Sequence, residues 1–490
     1  MILTIGVSLY TSRIVLARLG VVDYGIYNVV GGLLTLLAFL NGAMSLSVQR
    51  FLSFELGTGN KERLKKTFRT ALTIHVIIAL ILLILAETAG CWFLHRVMSI
   101  PSSQLSAADW VFQCSIISLL FSIILVPFSS AIIARERIGI YAVSGIIEVV
   151  LKLGIALSLS LFTSERLKFY ALLTLGINIL YSLFYSLFCI KSFEECRSLR
   201  PLFEKEMFFP IARFASWSII GSLAWTLKGQ GCNVILNIFF GPTVNAAYGI
   251  SSQVNITLNR FVQNFTTAVN PQIIKTYSAG QYEDMQKLMI YGAKFSFCLL
   301  LLLSFPVIMA TKPILSFWLG HYPSHAVAFI RLMIIISLIE SITYAMGAGL
   351  RAVGKVKWYE ISVGVTLMLS LPVAYILLRS GQPPQSIFFG MILLSLVAVG
   401  LRMWLMKIYI PLFSLKDFRR RVIFPILGLC AVCTLFFIAF NTLDILSSMN
   451  MMTVIALSLI SVGGAIPILG FNSNERNHIR NLVYRKIRLK

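Results

Sequence analysis

The 490 residues predict an all-α polytopic membrane protein, with about 14 transmembrane helices arranged as two pseudo-symmetric six-helix lobes plus two C-terminal helices. Three observations lead there. Hydrophobic residues make up 58% of the chain and charged residues 12%, at a mean hydropathy of +0.85, which is more apolar surface than a water-soluble core encloses. The apolar residues gather into runs close to the ~20 residues that a hydrocarbon layer of roughly 30 Å requires. Finally, the pattern Gly20, Tyr24-Gly25 and Gly59-Asn60 returns in weaker form as Gly241, Tyr248-Gly249 and Gly280-Gln281.

The first lobe, 1–190, carries predicted helices over 1–19, 24–46, 71–95, 108–133, 138–162 and 169–190. A cytoplasmic linker, 191–210, leads into the second lobe, 211–407, with helices over 211–240, 244–269, 291–309, 326–350, 360–378 and 386–406. Residues 408–470 hold two further helices, 422–440 and 451–469, and 471–490 form a basic cytoplasmic tail. The opening apolar run has no basic residues before it and no small-residue cleavage site after it, so it is expected to persist as the first helix.

The net charge of +23, from 42 Lys and Arg against 19 Asp and Glu, would suggest nucleic acid in a soluble domain. Here the basic residues have a different explanation. About 30 of them lie in even-numbered connections and the tail, against about 6 in odd-numbered ones, which predicts cytoplasmic termini. The tail is expected to rest beside anionic headgroups, and no nucleic-acid partner is expected. No connection exceeds about 25 residues, which leaves no room for a folded extramembrane domain.

Function must then reside in the bilayer, where an ionised side chain costs at least about 2.5 kcal/mol on insertion scales. Arg13, Lys152, Lys228, Arg260, Arg331 and Arg402 all fall inside predicted spans. Arg331 and Arg402 stand near helix ends and are expected to snorkel. Lys228 belongs to Lys228-Gly-Gln-Gly231, where two glycines weaken the helix and permit close approach. Around it Ser218, Ser222, Trp225, Gly229, Asn233 and Asn237 follow helical spacing, as do Tyr248, Ser252, Asn255, Asn259 and Gln263 on the next helix, with Arg260 beside them.

Such amides also serve as interhelical hydrogen bonds, which is the competing explanation. The substrate-facing reading takes Arg13, Lys228, Arg260, Asn233, Asn255, Asn259, Trp225 and Tyr248 as the binding set. Glu148 and Lys152 have favourable i,i+4 order for mutual neutralisation; with Glu340 they are also the candidates for coupling to H+ or Na+.

Cys430-Ala-Val-Cys433 lies within an apolar helix, and His321 with His325 is a sparse pair, so no metal site is expected. Phosphate-loop, zinc-protease and nucleophile-elbow motifs are absent from the sequence. The expectation is a transporter without a cofactor, not an enzyme.

Ser12-Arg13-Ile14-Val15-Leu16, Leu19-Gly20, Asp23-Tyr24-Gly25-Ile26-Tyr27-Asn28 and Gln49-Arg50-Phe51-Leu52-Ser53 carry a resemblance. The chain resembles the bacterial polysaccharide-transport flippases of the multidrug/oligosaccharidyl-lipid/polysaccharide exporter superfamily. That resemblance implies two six-helix lobes about a central cavity, alternating access, and transfer of an undecaprenyl-pyrophosphate-linked oligosaccharide to the periplasmic leaflet of the inner membrane. It further implies a role in O-antigen, lipopolysaccharide or capsule synthesis, as a monomer associating with polysaccharide polymerase machinery. Relatives place basic residues in the first and seventh helices, which Arg13 and Lys228 match by helix number. Relatives also carry a short polar leader, so a start upstream of Met1 is expected.

Two other functions compete. A cation-coupled multidrug exporter of the same superfamily would use a buried acid in a more apolar cavity. A membrane glycan polymerase would bind the same lipid carrier but would need a large periplasmic loop.

Overall fold

The computed structural model describes residues 7, 10–11, 14–15, 17–20, 23, 27, 38–96, 104–161, 165–319, 321–410, 413–442, 450–471 and 475–476. The predicted span 1–19 and the first half of 24–46 fall mostly outside these. Among the described residues regular structure is helical throughout, with no strand. Hydrocarbon offers backbone N–H and C=O groups no partners, so a crossing segment closes its hydrogen bonds internally. Ten of the described helices are long and apolar enough to cross a membrane. The protein is an all-α polytopic membrane protein.

Two compact units divide the chain, Met1–Ser222 and Leu223–Lys490. In the first, α1 is Ala38–Thr58, α2 Lys61–Arg96, α3 Leu105–Ala134, α4 Ile138–Ser158 and α5 Arg166–Ser192; α6, Lys205–Gly241, begins there. Helix α3 packs on α1, α2 and α5, and its Phe128 meets Phe68 of α2 edge to face at 5.3 Å. After α3, Arg135 grips Glu195 through two 2.7 Å hydrogen bonds, pinning the linker. Arg50, expected from the sequence to be one of the basic residues of the even-numbered connections, is instead buried in α1, with its guanidinium 4.5 Å from the Phe51 ring, 5.0 Å from Phe54 and 5.7 Å from Phe214. Aromatic faces supply the electrostatic cover that water would otherwise give.

In the second unit, α7 occupies 242–278, α8 Tyr282–Met309, α9 Thr311–Leu319, α10 Ala326–Val353, α11 Val356–Arg379, α12 Ser386–Tyr409, α13 Leu415–Phe440 and α14 Met451–Gly470. Helix α7 runs beyond the predicted end at 269, continues through Pro271 and ends at Ser278. The Gly280 and Gln281 N–H groups then bond Tyr277 and Thr276 carbonyls, closing the end. A proline removes one helical donor without terminating a helix whose packing supports it.

Two basic residues are placed differently from the sequence reading. Lys294, expected from the sequence to be one of the basic residues of the even-numbered connections, lies fully buried in α8 and bonds both Glu475 oxygens at 3.0 and 2.9 Å. Arg331 does not snorkel: its Nε donates to the Ile308 carbonyl at the end of α8, and its guanidinium lies 5.2 Å from the Phe437 ring. A cation at a helix C-terminus complements the exposed carbonyls and the dipole.

The internal repeat appears in the backbone. Gly20 and Gly59 have φ of 82° and 73°, and their counterparts Gly241 and Gly280 have 73° and 75°. Both pairs have the same separation in sequence. Glu136 and Glu165, at 61° and 54°, have Gly354 and Gly381, at 83° and 79°, as counterparts at nearly that separation. Left-handed residues cluster at helix junctions because they redirect the chain there.

Candidate functional site, a polar cavity in the second unit

On α10, Glu340, Tyr344, Gly347 and Arg351 recur at steps of three and four, so a single helical face carries them. Ser395, Ala398 and Arg402 do the same on α12. Together with Trp225 of α6, Thr343 of α10 and Tyr359 and Leu367 of α11, they line a cavity of about 160 Å³. Close helix contact shapes it: a Cβ at Gly231 would lie 2.4 Å from Leu371 Cδ2, so a larger residue there would displace the Leu371 side chain of α11.

Glu340 marks the inner part of the cavity. Its carboxylate forms a short ion pair with the Lys228 ammonium and accepts a 3.3 Å bond from Ser395 Oγ. Lys228 is 5% exposed, and burial of this kind is tolerated because the two charges neutralise each other. The sequence reading treated Lys228 as a substrate contact and Glu340 as a separate coupling acid; the fold makes them one unit.

Hydrogen bonding engages much of the amide stripe. Asn259 Nδ2 donates to Asn255 Oδ1 and Ser337 Oγ, each at 3.0 Å, while Ser337 donates to Asn255 Oδ1 at 2.7 Å and Tyr344 Oη to Asn259 Oδ1 at 2.9 Å. These bonds tie α7 to α10, the packing role left open above. Tyr248, 6% exposed, donates to the Gly229 carbonyl at 2.9 Å, tying α7 to α6.

The remaining predicted residues scatter. Trp225 is 58% exposed at the cavity, Asn233 is half-buried on α6 and Arg260 is exposed on α7. Glu148 and Lys152 pair at 2.6 Å on α4 in the first unit. Arg13 lies outside the described residues.

Arg402 departs from the snorkelling expectation. It lines the cavity with its guanidinium 5.9 Å from the Tyr359 ring. Its Nε is buried and has no hydrogen-bond partner among the described residues. Arg351, Tyr344 and Tyr359 were not singled out in the sequence, although the spacing from Glu340 to Arg351 was a legible signal.

Comparison with known proteins places this geometry. The MatE family model matches residues 218–376, from α6 into α11. The chain overlays an outward-facing multidrug resistance MATE family transporter of the MOP superfamily with a TM-score of 0.68, covering 84% of this chain and 93% of that one at 14% identity. The fold is that of the MATE transporters. A second MATE-fold neighbour, a MOP superfamily transporter from Pyrococcus furiosus Vc1 (DSM3638) described by the reverse polarity of its binding pocket, gives a TM-score of 0.67 at 13% identity, covering 83% and 93% of the two chains. Among curated sequences, the uncharacterized membrane protein EpsK of Bacillus subtilis (strain 168) is 23% identical over 326 residues, 65% of this chain and 63% of the relative. The match thus spans less than two thirds of that relative's length.

Proposed function

We propose that this MATE-fold protein is a flippase for an undecaprenyl-pyrophosphate-linked oligosaccharide, moving it from the cytoplasmic to the periplasmic leaflet of a bacterial inner membrane by alternating access. The observation that carries this reading is the charge balance around Glu148, Glu340 and Glu360 in the described spans; the exposed Glu87 of α2 accepts from Gln113 Nε2 at 3.2 Å. Glu148 pairs with Lys152, Glu340 pairs with Lys228, and Glu360 faces Arg351 and Arg402, while Arg260 stands exposed on α7. An exporter of cationic drugs needs an available carboxylate, whereas a surplus of cations favours an anionic pyrophosphate. Arg260 is the proposed headgroup contact, and the exposed Trp225 ring offers a face for sugar. Glu340, which accepts from both Lys228 and Ser395, is the proposed point of coupling to an ion gradient.

The test is translocation of the labelled lipid-linked oligosaccharide in proteoliposomes, with Arg260→Gln alongside after equal insertion has been verified. The unaltered protein is expected to transport and the variant to lose most of its rate. Absence of transport by the unaltered protein rejects the assignment, and equal transport by both removes Arg260 from the site.

A second reading, multidrug export, draws support from the MATE neighbour named as a multidrug resistance transporter. Gradient-driven efflux of a cationic dye, with surface glycan unchanged in a knockout, would favour it.

A further inference from the structure

The Glu340–Lys228 pair leaves the other end of the cavity unexplained. Arg351 and Arg402 reach it from different helices, both near ends that join the basic connections 351–357 and 407–421. Among the described residues the buried Arg402 Nε has no hydrogen-bond partner, an arrangement that disfavours an empty site. Tyr359 and Arg351 pack over Gly347: a Cβ there would lie 2.9 Å from Tyr359 Oη and 3.3 Å from an Arg351 terminal nitrogen. The phenol and the guanidinium therefore converge over one point.

Charge indicates what belongs at that point. Around the cavity stand three cations, Lys228, Arg351 and Arg402, and two carboxylates, Glu340 and Glu360. One positive charge is left over on arginines that are half-buried at the cavity, where a counter-ion is favoured. Guanidinium groups match phosphate oxygens in shape and donor spacing. A volume of about 160 Å³ accommodates a phosphate group with accompanying water.

We propose that this cavity seats a phosphate-class monoanion held by Arg351, Arg402 and Tyr359. Its source is either the phosphodiester of a phospholipid in the leaflet beside the basic connections or inorganic phosphate. The site goes beyond the flippase reading and stands whether the cargo is a glycan lipid or a drug.

The experiment uses the full chain, purified and stripped of lipid, and two probes. Phosphatidylglycerol in detergent micelles is counted by native mass spectrometry, and radiolabelled inorganic phosphate by equilibrium dialysis. One ligand per chain is expected, with affinity reduced at least tenfold by Arg402→Gln and by Gly347→Val, and unchanged by Lys312→Gln on the exposed face of α9. Retained phosphatidylglycerol identifies the headgroup as the source; binding of phosphate alone identifies the free anion.

Binding of neither probe, or equal binding by the unaltered protein and both variants, overturns the proposal. Variants are compared after eluting as the same monodisperse species as the unaltered protein. Should either fail that check, Arg402→Lys keeps the charge but removes the Nε donor, and it must weaken binding for the proposal to survive.

Discussion

Lys228 shows how far a single residue can be read. An ammonium within an apolar run announces that something must compensate it, because hydrocarbon does not solvate charge. The compensating group, Glu340, lies over a hundred residues away, and no local spacing connects the two. Removing one partner leaves the other buried and unpaired, at a cost of about 3–5 kcal/mol. Lys228→Met and Glu340→Leu are therefore each expected to lower thermal stability in detergent by that order, and the double variant to recover most of the loss. Additive losses across that double-mutant cycle would show that the pair is not coupled. Arg402 teaches the converse: its position near a predicted helix end suggested escape to the headgroups, but packing against Tyr359 turned it inward.

Among the helices, the junctions are the informative features. Glu136 performs after α3 the task that Gly354 performs after α10, but with a side chain in a left-handed conformation that costs roughly 1–2 kcal/mol. Glu136→Gly is expected to stabilise the protein by up to about 1 kcal/mol. Gly241 combines φ 73° with ψ −169°, a region almost closed to other residues, so Gly241→Ala is expected to destabilise by about 1–3 kcal/mol. Opposite shifts in unfolding temperature for the two variants would check both statements. Helix positions were legible because length and hydropathy are local quantities. The extension of α7 past Pro271 was not, since tertiary support decides whether a proline ends a helix or is tolerated within it.

For the molecule as a whole, the loop charges make a prediction about orientation. Cysteine introduced at Lys416, in the first turn of α13, is expected to react with a membrane-impermeant thiol reagent only from the cytoplasmic side, and cysteine at Lys312 in α9 only from the opposite side. The reverse pattern would invert the proposed direction of transport.

Sequence alone determined the class of the protein, because apolar runs of membrane length and an internal repeat of turn glycines require nothing beyond neighbouring residues to be recognised. Tertiary structure alone decided which polar groups meet. Asn255 and Asn259 bond to Ser337 and Tyr344, and Lys228 meets Glu340, while Arg351 and Arg402 border a cavity with Tyr359. The physical reason is range: hydrophobic burial in a bilayer is set residue by residue along a helix, whereas a charge or an amide is satisfied by whichever distant helix the packing brings alongside it.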